Sequence, residues 1–316
     1  MLRYFLKRLA LLVPIVFGVS VVVFVVMRML PGDVASAMLG SSANASPQLL
    51  AEMRAQLGLD RPLHVQYVEW VWKALHGDLG ASMLSSSPVA PQILRRLPVT
   101  VELAFFSILT AVIVGVPLGV LAAIHQNRPV DAIARVASLV WLSVPGFWVA
   151  TVLVLGASLY VPTWPTLGYI DFPTNPIGNL KTMVLPTISL SAYVVGGTLR
   201  MTRSAMLEVL RLDYITAARA RGGPERVVVF KHALKNALIP VVTLLGLYLG
   251  SLLGGAVLIE TIFTLPGLGK MLIDAIQGRD YTLVQGTVLF LASSVVLVNL
   301  MVDMLYGAID PRVRYE

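Results

Sequence analysis

Few residues in this chain are of a type and spacing that could do chemistry. The sequence has 316 residues, 4 histidines and no cysteine. Disulfides, thiolate metal sites and cysteine nucleophiles are therefore excluded. His64 and His76 are too isolated to argue for a metal site, and all the histidines lie away from the centres of the apolar runs. No G-x-x-x-x-G-K-[ST] phosphate loop occurs. The nearest fragment, Gly267-Leu268-Gly269-Lys270, lacks the upstream glycine and is followed by Met271. Neither G-x-S-x-G nor H-E-x-x-H is present, so serine-hydrolase and zincin chemistry find no carrier. The carboxylates closest to the apolar runs, Glu102, Glu260 and Asp303, sit near run ends. A proton-driven carrier would show ionisable groups near mid-membrane. We expect no catalytic residue, no metal ligand, no cofactor bound by this chain, and no energy source of its own.

The elements that would position any site are membrane helices. The chain is 57% hydrophobic and only 13% charged, with a mean hydropathy of +0.80. A soluble domain carries about 25% charged residues. Apolar runs long enough to cross a hydrocarbon core occur at about 9–26, 97–124, 133–160, 182–199, 237–259 and 283–306. The expected fold is all-α and integral to the membrane, with six transmembrane helices. The first run follows Arg3, Lys7 and Arg8, as a secretory signal would. It exceeds the usual signal core of about 7–15 residues, so a retained helix is expected, with Pro31-Gly32-Asp33 as the turn that ends it.

The organisation expected is a first helix over 1–30, an extracytoplasmic insertion over 31–96, a five-helix core over 97–306, and a tail over 307–316. Within the insertion, Ser46-Pro47 reads as a cap and first turn of a helix ending at Gly58. Residues 65–75 place Tyr67, Val68, Val71, Trp72 and Leu75 on one helix side. That stripe suits small-domain packing or an interfacial belt better than a binding site. Asn44-Ala45-Ser46 matches a glycosylation sequon, a pattern too short to carry weight alone.

The net charge of +7 and pI near 9.8 are explained by orientation, not by nucleic acid, because Lys and Arg accumulate on the cytoplasmic side. With the N-terminus inside, the inner segments hold Arg128, Arg135, Arg200, Arg203, Arg211, Arg219, Arg221, Arg226, Lys231, Lys235, Arg312 and Arg314. The outer interval 161–180 holds no Lys or Arg. Residues 31–96 carry 5 basic residues, but long translocated segments obey the rule weakly. Both termini are expected in the cytoplasm.

The most basic interval, 213–240, lies on that inner side. Ala217, Ala218 and Ala220 alternate with Arg219 and Arg221, and Gly222-Gly223-Pro224 should stop the helix. From Glu225 a second helix is expected to run into the membrane. Two readings stand: a basic loop on anionic headgroups, or a small-residue face that docks in a partner's groove with arginines at the rim. The enforced break and clustered alanines favour docking. In the fifth span Gly246, Gly250 and Gly254 share one face, as Gly115 and Gly119 do in the second. This spacing serves close packing within the subunit or a face that meets another subunit or moves. Pro145-Gly146 and Gly196-Gly197 mark bends or packing kinks.

The loop resembles the motif of inner-membrane permease subunits of ABC importers, in the dipeptide/oligopeptide branch. The residues carrying the likeness are Tyr214, then Ala218-Arg219-Ala220-Arg221-Gly222, then His232 through Pro240. Thr216-Ala217-Ala218 stand at the positions usually written EAA, with Thr216 in place of the glutamate. MLRYFLKRL at the start, LPGD at 30–33, ETIFTLPGLG at 260–269 and DPRVRYE at the end are similar to the same branch. The resemblance implies a type I importer permease fold in the bacterial inner membrane, with a cytoplasmic coupling loop over 200–236. It implies a second homologous permease, two cytoplasmic ATPases that use ATP and Mg, and an extracytoplasmic solute-binding protein. Asp213, Tyr214, Thr216, Ala217, Ala218, Arg219, Ala220, Arg221, Gly222 and His232 would couple to an ATPase. Peptide, nickel, glutathione and haem importers share this architecture, and a self-sufficient secondary transporter is the reading from another class.

Overall fold

The computed structural model describes the backbone of residues 2–29, 34–39 and 47–309, and the side chains within them except 2–11, 37–39, 303 and 305–309. The turn at Pro31-Gly32-Asp33, the Asn44 sequon, the Ser46 cap, the Asp303 side chain and the tail beyond residue 309 lie outside the described residues. Helices account for nearly all of the described structure. A single antiparallel bridge, Ala81 to Pro88, is the β-pairing among the described residues.

The helices run in chain order as follows. The first four are α1 (Leu2–Met29), α2 (Val34–Leu39), α3 (Pro47–Gln56) and α4 (Leu63–Leu75). Then come α5 (Val89–Thr110), a π-helical turn (Ala111–Gly115), α6 (Val116–Ile124), α7 (Pro129–Ser143), α8 (Gly146–Tyr160) and α9 (Pro176–Val209). The short α10 (Asp213–Ala220) and α11 (Glu225–Val227) precede a second π-turn (Val228–Ala233), and α12 (Leu234–Ile262), α13 (Leu268–Gln277) and α14 (Tyr281–Ile309) complete the chain.

By length and composition 5 helical stretches can cross a membrane, and a sixth is formed if α7 and α8 are taken as one span. That span carries a bend at the expected Pro145-Gly146 point. It bends by 97° between Ser143 and Gly146. Pro145 cannot donate to the preceding turn and biases Val144 to extended backbone, observed at ψ 124°. The second span begins earlier than hydropathy alone indicates, at Val89, and so includes Arg95 and Arg96. Its π-turn lies just before Pro117, which lacks the N–H that the Ile113 carbonyl would otherwise accept.

The chain divides into two compact units. One comprises residues 101–265 and 297 onward, and α9 is its centre. Within the apolar part of α9, 72% of the residues are buried, against 39% or less in the other continuous spans. Asn175 caps α9 by accepting from Gly178 N at 2.9 Å, and Pro176 occupies its first turn. Helices α6, α7, α8 and α12 all pack on it. Gly115 and Gly119 permit the α6 crossing: a Cβ on Gly119 would lie 2.6 Å from Thr202 Cβ and 2.8 Å from the Leu199 carbonyl. Gly196 and Gly197 are likewise packing points, the first against Ser138, Trp141 and Leu142, the second against the Tyr248 ring.

The other unit comprises residues 2–100 and 266–296. Its core joins Phe24 and Met27 of α1, Trp70 of α4, Ile93 of α5, Met271 of α13 and Val284 of α14. Helix α4 is rotated from the expected face. It buries Trp70 and half-buries Tyr67 and Val71, while Val68, Trp72 and Leu75 are exposed. Tyr67 fixes that rotation, since its hydroxyl lies 2.8 Å from Ser20 Oγ and its ring meets Phe24 edge to face. The Asp280 carboxylate, buried, caps α14 through Leu283 N at 3.1 Å and holds Met83 N at 3.1 Å and the Ser82 hydroxyl.

A braced helical knob as the candidate docking site

The site is built from α9 outward. After Val209 the chain makes a tight link in which Leu212 N donates to the Val209 carbonyl at 3.1 Å. Helix α10 then starts with Asp213 in its first turn, where a carboxylate complements the helix dipole. One face of α10 points inward. Ile215 is fully buried and Ala218 nearly so, in a cluster with Val120 and Ala123 of α6, Met206 and Val209 of α9, and Val228 and Ala233 of the second π-turn. Burying the Ile215 side chain contributes about 1.5–3 kcal/mol toward holding the knob on this platform.

The outward surface consists of Asp213, Tyr214, Thr216, Ala217, Arg219, Ala220, Arg221 and Gly222, all exposed. Ala218 lies beneath that surface and not on it. Thr216 and Ala217 sit at the crown, and the Ala217 carbonyl accepts from Arg221 N at 3.2 Å and from Arg221 Nε at 3.3 Å. The expected break is present. Helix α10 ends at Ala220, and Gly222 has φ +78°, a left-handed conformation that favours glycine. Helix α11 begins after Pro224 and continues through the π-turn into α12.

Two braces hold the knob. Arg219 reaches over the break to Glu225, Nη2 to Oε1 at 2.8 Å and Nε to Oε2 at 3.2 Å. This hydrogen bond holds the Arg219 pKa above the ordinary arginine value. On the other side Asn236 Nδ2 donates to the Tyr214 hydroxyl at 2.6 Å, and that hydroxyl donates to the His232 carbonyl at 3.4 Å. His232 therefore takes part through its backbone, at the end of the π-turn, and its ring is exposed. Sequence reasoning missed Glu225 and Asn236 as partners. Neither stands at a helical spacing from Arg219 or Tyr214, so only the folded turn brings them together.

The glycines of the fifth span divide. A Cβ on Gly246 would meet Val302 at 2.3 Å, and one on Gly250 would meet Asn299 Oδ1 at 2.8 Å, so both pack on α14 within the subunit. Gly254 faces open space. Below the knob, Arg203 of α9 donates through Nη2 to Asp131 Oδ2 of α7 at 2.8 Å, and Asn127 N adds a bond to the same oxygen at 3.1 Å. Among the described residues no group of three His, Cys, Asp or Glu side chains could hold a metal ion.

Residues 115–315 match the family described as binding-protein-dependent transport system inner membrane component, and residues 1–104 match its N-terminal counterpart. A Brucella abortus (strain 2308) protein assigned by name to a peptide transport system as permease is 43% identical over 311 residues, 98% of each chain. The dipeptide transport system permease protein DppB of Escherichia coli (strain K12) is 41% identical over 340 alignment positions, covering 100% of both chains. The DppB of Alkalihalophilus pseudofirmus is 40% identical over 336 positions, again with full coverage. In the solved inward-facing structure of the MetNI methionine ABC transporter, one chain shares the fold, with TM-score 0.56 and 21% identity over 69% of this chain and 96% of that one. A helical membrane core, a helix–break–helix knob and matches along nearly the whole length lead to one assignment: the chain belongs to the inner membrane components of binding-protein-dependent transport systems.

Proposed function

We propose that this chain forms half of the translocation pathway of an ATP-driven importer for dipeptides or oligopeptides, and that α10 is where a separate ATPase drives it. The peptide cargo is supported by the names of the full-length relatives. The coupling role is supported by one observation above all. Helix α10 exposes Thr216 and Ala217 at its crown while Ile215 and Ala218 anchor it to the ends of α6 and α9. Force applied to the crown would pass through buried contacts into the central helix and, through the Tyr214–Asn236 bond, into α12. The partners that complete the machine are a second homologous permease, two cytoplasmic ATPases using ATP and Mg, and an extracytoplasmic solute-binding protein. This chain binds no nucleotide and no metal in this reading, and the distribution of Lys and Arg supports a cytoplasmic position for the knob.

The test is bulk at the crown. Thr216→Trp or Ala217→Trp adds a large side chain to a surface with no internal neighbour to disturb. Each should lower uptake by the assembled transporter about tenfold or more, the loss expected when a central interface residue is spoiled, while the chain still inserts. Transport at the normal rate by both variants removes the coupling assignment. Flux through the chain alone in liposomes, without ATPase subunits, would favour a self-sufficient carrier instead.

A further inference from the structure

On α9, Tyr193, Gly197, Arg200 and Ser204 recur every three or four residues and so share one face. This is the most buried helix of its unit, yet Tyr193, Arg200 and Ser204 are exposed. The stripe opens onto a half-open cavity of about 350 Å³ lined also by Leu142 and Tyr248. The Tyr193 and Tyr248 rings meet edge to face, centroids 5.2 Å apart at 74°. Gly197 makes room for this pair, because any Cβ there would collide with the Tyr248 hydroxyl. Arg200 makes no hydrogen bond or ion pair among the described residues, whereas Arg203, one turn further along, is fully engaged by Asp131.

Two physical arguments put water in this cavity. Arg200 lies at the cytoplasmic end of the apolar part of α9; an arginine stays protonated in any protein environment, and a charge at that depth reaches water and not lipid. Independently, the 97° break between α7 and α8 leaves Ser143 and Pro145 exposed, directly after the cavity-lining Leu142. Non-helical backbone at membrane depth persists only when buried in protein or bathed by water.

We propose that this cavity is a subsite on the aqueous translocation path, where Arg200 receives a carboxylate of the cargo and the Tyr193–Tyr248 pair lines the seat. A guanidinium matches a carboxylate through two parallel hydrogen bonds. The identity of the cargo rests on the peptide-import reading: a short peptide always presents a C-terminal carboxylate. Beside Arg200, the tyrosines and Ser204, the wall is formed by Leu142, Gly197, Met201 and Leu244, which tolerate varied side chains.

The absence of cysteine makes the test direct. In the assembled transporter, with each rate divided by that reagent's rate toward a free thiol in solution, Ser204→Cys should react with a membrane-impermeant anionic methanethiosulfonate about five times faster than with its cationic counterpart, the ratio expected from one nearby unpaired positive charge. Adding Arg200→Gln should bring the ratio to about one. Uptake of alanyl-phenylalanine should fall about tenfold in Arg200→Gln, the loss expected for a charged hydrogen bond, and recover partly in Arg200→Lys, with ATPase activity retained. If Ser204→Cys reacts with neither reagent, the stripe is covered by lipid or by the second permease and the proposal is overturned. Equal reactivity toward both reagents, or normal dipeptide uptake by Arg200→Gln in a transporter that imports dipeptides, also overturns it. If the unaltered transporter moves no dipeptide while the anion preference and its loss in Arg200→Gln are observed, the peptide reading fails and the anionic subsite stands.

Discussion

Asp131 and Arg203 form a buried ion pair between the first turn of α7 and the lower part of α9, with Asn127 N donating to Oδ2 of the same carboxylate and Arg135 Nε 3.7 Å from its Oδ1. The Asp131 side chain has no solvent exposure and Arg203 keeps 17%. Removing one partner of such a pair strands the other charge. Asp131→Ala should therefore destabilise the detergent-solubilised protein by about 3 kcal/mol, with a smaller loss for the paired Asp131→Asn, Arg203→Gln variant. Thermal unfolding of the three proteins measures this. Equal stability of Asp131→Ala and the unaltered chain would show the pair to be dispensable.

Within this chain, Gly222 is a backbone requirement. Its φ is +78°, and a Cβ there would touch no atom within 4 Å. Substitutions should rank by their tolerance of left-handed backbone: Gly222→Asn mild, Gly222→Ala intermediate, Gly222→Val worst, at about 1–2 kcal/mol for the ordinary residues. Limited proteolysis at the 221–224 break should follow this order. If Val behaves like Asn, strain at this residue is not what shapes the knob.

The fifth-span glycines should respond unequally to Leu. Gly246 and Gly250 abut Val302 and Asn299, whereas Gly254 faces open space. Overpacking at the first two should cost about 1–3 kcal/mol each and nothing measurable at Gly254. A loss of uptake in Gly254→Leu with unchanged thermal stability would instead mark that residue as a contact with another subunit.

Tyr214 and Asn236 give the knob its second brace. Tyr214→Phe keeps the ring and removes the acceptor, at a cost of about 0.5–1.5 kcal/mol. The global unfolding temperature should barely move, because both residues are exposed. Amide exchange in α10 should quicken several-fold, and unchanged exchange there would show that the inward face alone holds the helix.

Asp280 serves two purposes at once: it caps α14 and gathers the 82–84 backbone. Asp280→Ala should lose about 2–3 kcal/mol, from a helix cap and from buried donors left unmatched. The expected readout is new protease sensitivity between residues 78 and 88. Asp280→Asn, which keeps one acceptor oxygen, should lie between.

Much of this organisation is legible in the residues by themselves. Hydrophobic runs of fixed length locate the spans because lipid offers the backbone no hydrogen bonds. The Gly222-Gly223-Pro224 break follows from local backbone chemistry, whereas α9 starts at Pro176, ahead of the apolar run expected from residue 182. The motif residues between Tyr214 and Pro240 carry the family resemblance in the sequence itself. What the tertiary structure alone decides is which atoms face each other. Ala218 reads like its neighbours Ala217 and Ala220 yet is turned inward, because Ile215 three residues earlier sets the buried face of α10. Pro145-Gly146 marks a bend in the run across 133–160, but only the fold gives its size, a 97° divergence of the two halves. Asp131–Arg203 and Arg219–Glu225 are separated by 72 and 6 residues, spacings at which no helical periodicity pairs side chains. Composition and local propensity act along the chain, whereas pairing and exposure are properties of the packed helices.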